Sequence, residues 1–235
     1  MTVTSTTKLP KPHAPQHSAS AASHAPALEP FAVETAPIPF ASLGLDTRLL
    51  EGIRDLGFSE TRPIQSAVIT LSLAGADLIA CAETGSGKTC AFVVPMLQRL
   101  LRETGGHDTK SRVLILAPTR ELAVQIEDEI HGLSYHTTLT SAAVYGGVEM
   151  GAQERALKAG VDIIVATPGR LMDHMRQQNA DLSAIELLVL DEADRMMDMG
   201  FWPDVRRIVE ALPREKRQTL LFSATLPDDV IKLAA

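Results

Sequence analysis

The chain has 235 residues, 45% of them hydrophobic, which is enough for one domain of ordinary size with a real core and a terminal extension. It carries 22 basic and 29 acidic residues, a net charge of −7. This balance excludes a surface that is basic throughout, as a general nucleic-acid binder would have. Any contact with nucleic acid must therefore be local.

The cysteine content and the hydropathy pattern bear on the cellular compartment in which the protein is expected. Cys81 and Cys90 form neither a CxxC pair nor a disulfide framework, which is typical of a reducing environment. No apolar run approaches the roughly 18 residues that span a bilayer. The N-terminus also lacks a basic segment followed by an apolar stretch. We therefore expect a cytoplasmic protein.

Two regions differ in composition. Residues 1–37 are rich in Ala, Pro, Ser, Thr and His and show no hydrophobic periodicity, so we predict a disordered tail. From Phe40 onward, short apolar runs alternate with amphipathic stretches, as in parallel α/β proteins. In one such stretch Leu122, Ile126 and Ile130 repeat every four residues, which predicts a crossover helix.

Six apolar runs predict strands that are buried on both faces. They are 77–82, 113–117, 142–145, 162–166, 187–190 and 219–222. Five of them lead directly into a polar or Gly-rich sequence. Because ligands of open α/β sheets bind beyond the carboxyl ends of the strands, we expect the chemistry in these connections.

A phosphate-binding loop follows the first predicted strand. Its sequence is Ala82-Glu83-Thr84-Gly85-Ser86-Gly87-Lys88-Thr89. The glycines let backbone N–H groups surround phosphate oxygens, Lys88 reaches the terminal phosphates and Thr89 can bind Mg²⁺. The general pattern begins with Gly where this chain has Ala82, so the loop alone is a less strict match. The strand before it and the helix-like stretch after it favour a nucleotide site.

An acidic motif, Asp191-Glu192-Ala193-Asp194, follows the fifth predicted strand. Asp191 should lie at the carboxyl edge of the sheet, where Mg²⁺ bound through Thr89 would need a carboxylate. Glu192, next along an extended strand end, should point elsewhere and activate a water for attack on the γ-phosphate. The motif could instead be only an acidic helix N-terminus, which complements the helix dipole. The upstream phosphate loop favours the catalytic interpretation.

Together these motifs resemble the DEAD-box family of helicases over residues 40–227. The resemblance implies a RecA-like P-loop domain, with a mostly parallel central sheet and helices on both faces, and ATP and Mg²⁺ as cofactors. Ahead of the loop, the segment from Thr61 to Gln65 resembles the family's Q motif. Phe40 stands at the position of its upstream aromatic residue. By resemblance, Gln65 reads the adenine, which an amide can do by donating and accepting, and Phe40 stacks on it.

Three further segments match motifs that hold the sugar-phosphate backbone of single-stranded RNA in this family. They are Pro118-Thr119-Arg120-Glu121, Gly146-Gly147 and Thr167-Pro168-Gly169-Arg170. Arg120 and Arg170 suit phosphate, and the hydroxyls of Thr119 and Thr167 can add contacts. Taken singly, each segment is an ordinary strand-to-helix connection. Together they explain how an acidic chain could bind RNA through a narrow patch.

The last motif is Ser223-Ala224-Thr225, after the sixth predicted strand. In the family its hydroxyls interact with the acidic motif and couple ATP hydrolysis to strand separation. We therefore count Ser223 and Thr225 among the predicted catalytic residues, with Lys88 and the acidic residues Asp191, Glu192 and Asp194.

The chain shows the first-domain motifs of the family and none of its second-domain motifs. We assign residues 38–66 to the Q-motif region and 67–235 to the first RecA-like domain, with the second domain absent. In the family the second domain supplies an arginine finger, a group worth roughly 10³–10⁵ in rate in related systems. We therefore expect the ATP-binding half of an ATP-dependent RNA helicase, which alone hydrolyses ATP very slowly and does not unwind RNA.

Two other interpretations stay open. A DNA-directed motor of the same superfamily would share the phosphate loop and the acidic motif, and preferential stimulation by single-stranded DNA would support it. A non-enzymatic module would capture nucleotide or RNA, and a supplied second domain would not restore activity. The Gln65 element, the Asp-Glu-Ala-Asp spelling and the Ser223-Ala224-Thr225 motif argue against the DNA motor.

Overall fold

The computed structural model describes residues 2–5, 35–82, 85–102, 110–215 and 217–234. Its strands are β1 Thr2–Ser5, β2 Leu78–Cys81, β3 Val113–Leu116, β4 Ser141–Val144, β5 Ile163–Ala166, β6 Leu187–Leu190 and β7 Gln218–Ser223. Within these residues they form one sheet in the order β1-β2-β7-β6-β3-β5-β4. The six predicted strands are thus confirmed as β2 to β7, and every pairing among them is parallel. The predicted burial on both faces is wrong for β4, whose residues alternate between half-buried and buried because the strand lies at the edge of the sheet.

Helices connect the strands. They are α1 Thr47–Asp55, α2 Pro63–Leu73, α3 Lys88–Arg102, α4 Arg120–Leu133, α5 Met150–Ala159, α6 Pro168–Arg176, α7 Ala193–Asp198, α8 Trp202–Ala211 and α9 Asp228–Ala234. The predicted crossover helix at Leu122, Ile126 and Ile130 is α4. A 3-10 turn at Phe40–Ser42 precedes α1.

The core consists of two hydrophobic clusters, one on each face of the sheet. Alternate strand residues point to opposite faces, so Val113 and Ile115 of β3 belong to the first cluster and Leu114 and Leu116 to the second. The first cluster holds buried residues of α1 to α4, and the second holds those of α5 to α9. The predicted α/β architecture with helices on both faces is therefore confirmed.

The N-terminal tail differs from its prediction at one place. Thr2–Ser5 is not disordered but forms β1, which pairs antiparallel with β2 and sets Thr2 opposite Cys81. Its β-branched Thr-Val-Thr sequence has high strand propensity, and β2 would otherwise leave an unpaired edge on this side. The rest of the predicted tail up to residue 34 lies outside the described residues.

Parallel pairing sets the position of the site. Cys81 is paired with Ser223, and Leu116 is paired with both Ala166 and Leu190. The connections after these strands therefore leave the same edge of the sheet.

In the part of the chain that the structure describes, no helix combines the length and the apolar character that crossing a membrane requires.

Candidate active site

The phosphate loop connects β2 to α3. Gly85 has φ 81° and Gly87 has φ 91°, left-handed backbone that favours glycine. A Cβ on Gly87 would lie 2.7 Å from the Gln65 side-chain nitrogen, so this position also lacks room for a side chain. Ala82 ends the strand region and donates its backbone N–H to the Ser223 carbonyl at 3.2 Å. Glu83 and Thr84 of the predicted loop lie outside the described residues.

A buried ion pair links the phosphate loop to the acidic motif. The Nζ of Lys88, in the first turn of α3, lies 3.8 Å from Oδ1 of Asp191, and the two side chains are 7% and 2% exposed. Burial raises the pKa of Asp191 to about 6, while the positive charge of Lys88 opposes this rise. The structure thus places both predicted residues together at the carboxyl edge of the sheet.

Thr89 and Asp191 offer a hydroxyl and a carboxylate oxygen, the hard donors that suit Mg²⁺. Among the described residues, no three His, Cys, Asp or Glu side chains group closely enough to hold a metal ion by themselves.

Glu192 follows Asp191 but does not continue the strand. The predicted extended backbone is wrong here, because Glu192 has φ 51° and ψ 52°, a left-handed conformation. This turn takes the chain from β6 directly into α7. The Glu192 side chain is 13% exposed, and its Oε2 accepts a hydrogen bond from Nη1 of Arg195 at 3.0 Å. The carboxylate is thereby held against Arg195 of α7.

Asp194 connects the acidic motif to β7. Its backbone N–H donates to the Ser223 hydroxyl at 3.1 Å, and its Oδ2 accepts from the backbone N–H and hydroxyl of Thr225 at 2.9 and 3.1 Å. Burial raises the pKa of Asp194, but the hydrogen bonds from Thr225, Ser223 and Arg195 outweigh it, so the pKa lies below its usual range. The structure brings these predicted residues into contact, and their coupling role stays a prediction.

The Q-motif region contacts the phosphate loop. Gln65 is 4% exposed, its Nε2 donates to the Gly87 carbonyl at 3.2 Å, and its Oε1 accepts from the Arg62 backbone at 2.8 Å. Thr61 is bound within the same region, where its hydroxyl lies 2.6 Å from that of Ser66 and accepts from the Ile38 backbone. The hydrogen bond between Gln65 and Gly87 therefore connects the start of α2 to the phosphate loop.

Phe40 requires a correction. The sequence predicts that its ring stacks on adenine, but the side chain is only 2% exposed and belongs to the first hydrophobic cluster. A ring buried among core side chains has no free face for a ligand. In this structure Phe40 therefore anchors the segment that precedes α1.

The predicted RNA-contacting segments lie at the ends of β3, β4 and β5. Thr119 caps α4 by accepting the Leu122 N–H at 3.2 Å, while Arg120 and Glu121 are exposed in the first turn. Pro118 is buried, as is Pro168 at the start of α6. Gly146 and Gly147 are exposed, and Thr167 and Gly169 are half-buried.

These segments contact one another through residues that the sequence interpretation missed. The Arg120 guanidinium lies 4.9 Å from the centroid of the Tyr145 ring. Arg170 donates to the Val148 carbonyl at 2.9 Å and to Oε1 of Gln153 at 3.3 Å. Two of the predicted phosphate ligands thus also bind the loop that contains Gly146 and Gly147.

Comparisons of the sequence with a family model and with curated proteins point to one family. A family model described as DEAD/DEAH box helicase matches residues 62–233. The ATP-dependent RNA helicase CshA of Listeria monocytogenes is 45% identical over 194 residues, which cover 83% of this chain and 36% of that protein. DEAD-box ATP-dependent RNA helicase 30 of Arabidopsis thaliana is 48% identical over 196 residues, which cover 83% of this chain and 33% of that protein.

A solved structure agrees as well. The crystal structure of a DEAD box protein from the hyperthermophile Methanococcus jannaschii matches with a TM-score of 0.76 and 39% identity, over 83% of this chain and 52% of that one. The chain thus spans about half of this structure and about a third of the two curated relatives.

Proposed function

Because the chain belongs to the DEAD/DEAH box helicase family, we propose that it is the ATP-binding half of an ATP-dependent RNA helicase. The contact of Asp194 with Ser223 and Thr225 carries the proposal. It joins the acidic motif after β6 to the Ser223-Ala224-Thr225 motif at the end of β7. Coupling of ATP hydrolysis to a conformational change requires such a contact between the ATP site and a neighbouring strand. The curated relatives are named ATP-dependent RNA helicases, which supports the same function.

In this proposal the phosphate loop binds the ATP phosphates through its backbone N–H groups and Lys88. Thr89 and Asp191 would hold Mg²⁺, which neutralises charge that develops on the phosphates. Glu192 orients the attacking water and accepts its proton. An amide has two N–H donors and two lone pairs, so the Gln65 bonds to Gly87 and Arg62 leave capacity for an adenine edge.

RNA would bind across the ends of β3, β4 and β5. The exposed Arg120 and the half-buried Arg170 provide positive charge, and exposed backbone at Gly146 and Gly147 allows close approach of a sugar-phosphate chain. A local patch of this kind is compatible with the net charge of −7. A cytoplasmic setting stays a prediction from composition.

ATP hydrolysis tests the proposal. We would measure it for this chain alone and for the chain joined to the part of the Listeria relative that it does not cover, with single-stranded RNA, single-stranded DNA or neither. Glu192→Gln is the test variant, and Glu210→Gln, an exposed position on α8, is its matched control. We expect RNA-stimulated hydrolysis in the fusion that only Glu192→Gln abolishes, and very slow hydrolysis by the chain alone.

Each alternative predicts a different result. Stimulation by DNA in preference to RNA would identify a DNA-directed motor. Nucleotide and RNA binding without hydrolysis in the fusion would identify a binding module. Rapid hydrolysis by the chain alone would contradict the expectation that a second RecA-like domain supplies a rate-limiting group.

A further inference from the structure

A buried polar network lies beneath two of the segments proposed to bind RNA. At its centre is Gln153 of α5, which is 8% exposed. Its Nε2 donates to the Tyr145 carbonyl at 3.0 Å, and its Oε1 accepts from Nη1 of Arg170 at 3.3 Å. One amide therefore joins the connection after β4 to the first turn of α6.

His174 extends this network into the core. It is fully buried, and its Nε2 lies 3.3 Å from the same Oε1 of Gln153. Its Nδ1 lies 3.5 Å from the side-chain nitrogen of Asn179, which can only donate. The consistent assignment places the proton on Nε2, which donates to Gln153. Burial lowers the pKa of His174 and the charge of Arg170 lowers it further, so the neutral ring is favoured.

These contacts fix the Arg170 guanidinium but use only some of its N–H donors. Nη1 donates to Gln153 and Nη2 donates to the Val148 carbonyl at 2.9 Å. A guanidinium has five N–H donors in a fixed plane, so its orientation is defined while further donors remain for a phosphate. The same network fixes the Tyr145 backbone, and the Tyr145 ring contacts the guanidinium of Arg120. Gln153 thus orients Arg170 directly and Arg120 indirectly, through Tyr145.

We propose that Gln153 and His174 are positioning residues for RNA binding, which hold Arg170 and the Tyr145–Val148 connection in the geometry that the RNA backbone requires. The inference rests on the proposed function. Neither side chain needs to touch RNA, because a ligand binds more tightly to groups that are already ordered.

The test measures binding of a fluorescein-labelled oligouridine by anisotropy at several salt concentrations. The variants are Gln153→Met, which keeps the length and volume of the side chain, His174→Phe, Arg170→Ala, and the double variant Gln153→Met with Arg170→Ala. Gln125→Ala, at an exposed glutamine of α4, is the matched control. Binding of a fluorescent ADP to each variant reports on the integrity of the domain.

We expect Gln153→Met to weaken RNA binding about tenfold, as the loss of buried hydrogen bonds to a charged group would, with His174→Phe acting in the same direction. The slope of log affinity against log salt should fall by about 0.7 as one phosphate contact is lost. ADP affinity should not change. Because Gln153 also orders the Tyr145–Val148 connection, the double variant should bind RNA less tightly than Arg170→Ala alone, but its loss should be smaller than the sum of the two single losses.

Three results would overturn the inference. Independent, additive losses in the double variant would show that Gln153 does not act through Arg170. A parallel loss of ADP affinity would show a purely structural role. A wild-type chain that binds ADP but no RNA at any salt concentration would overturn the proposed RNA function itself, and the inference with it.

Discussion

The carboxylate of Asp194 accepts both the backbone N–H and the hydroxyl of Thr225, at 2.9 and 3.1 Å. The two residues are 31 positions apart in the chain. The backbone bond holds the chain after β7 in place, whereas the hydroxyl bond can be lost without moving the backbone. A variant that removes only the hydroxyl therefore separates structure from coupling.

We predict that Thr225→Val lowers the free energy of unfolding by about 1 kcal/mol, the net value of one hydrogen bond. In the fusion with the remainder of a relative, RNA stimulation of ATP hydrolysis should fall severalfold while ATP affinity stays unchanged. Steady-state hydrolysis with and without RNA measures this, and Thr47→Val at an exposed position of α1 is the control. Unchanged RNA stimulation would show that the hydroxyl has no part in coupling.

Gly52 allows α1 to pack closely against the end of α4. A Cβ at this position would lie 2.3 Å from the Leu133 carbonyl oxygen, a backbone atom that cannot rotate away. We predict that Gly52→Ala destabilises the domain by about 2–3 kcal/mol through overpacking. In the matched variant Gly151→Ala, also in a helix, the nearest atom is the flexible end of Arg155 at 3.5 Å. That change should be neutral or stabilising by up to about 1 kcal/mol in urea unfolding.

Glu129 of α4 gives stability a pH dependence. Burial raises its pKa from 4.5 to about 7, the charge of Arg62 opposes the rise and that of Asp191 adds to it. The folded state therefore binds the proton more tightly than the unfolded state, so this residue favours folding increasingly as pH falls from about 7 toward 4.5.

Removal of this charge should therefore stabilise the protein at high pH. We predict that Glu129→Gln increases the free energy of unfolding by about 1–2 kcal/mol at pH 8, and that this gain disappears by about pH 4.5. Thermal unfolding across this pH range measures the effect. Glu210→Gln, on the exposed side of α8, should show no such pattern, and a gain at pH 8 that persists in acid would contradict the assignment.

Cys90 lies in the first turn of α3, where a helix N-terminus would favour a reactive thiolate. Burial instead raises its pKa to about 12, and the nearby charge of Glu129 adds to this effect. We predict that iodoacetamide modifies the native protein at the partly exposed Cys81 and reaches Cys90 only after unfolding. Mass spectrometry of the two peptides reports this, with Cys81→Ser as the control, and rapid native labelling of Cys90 would contradict it.

The strands and the position of the site could be predicted because both depend on short segments. A buried parallel strand is a continuous apolar run, and the rule for strand ends then places Lys88, Asp191 and Ser223 at one edge. Phe40 was misplaced for a physical reason. An aromatic residue can serve either in a ligand site or in the core, and only the packing of Phe40 in the first hydrophobic cluster decides between them.

Gln153 and His174 were missed because their partners lie 17 and 21 residues apart in the chain. Local patterns carry little information at that distance. One signal was present, since Gln153 and Leu157 share the buried face of α5 at a spacing of four residues. A polar residue on an apolar helix face must find a buried partner, so this position could have been singled out.

The left-handed backbone of Glu192 has an evolutionary consequence. Glycine adopts this conformation freely, whereas a residue with a Cβ costs about 1 kcal/mol or more there. Selection for stability alone would therefore favour glycine at this position, and only selection for the carboxylate would keep glutamate. A library of variants sorted by thermal resistance and then by ATP hydrolysis should accordingly rank Glu192→Gly high in the first sort and eliminate it in the second.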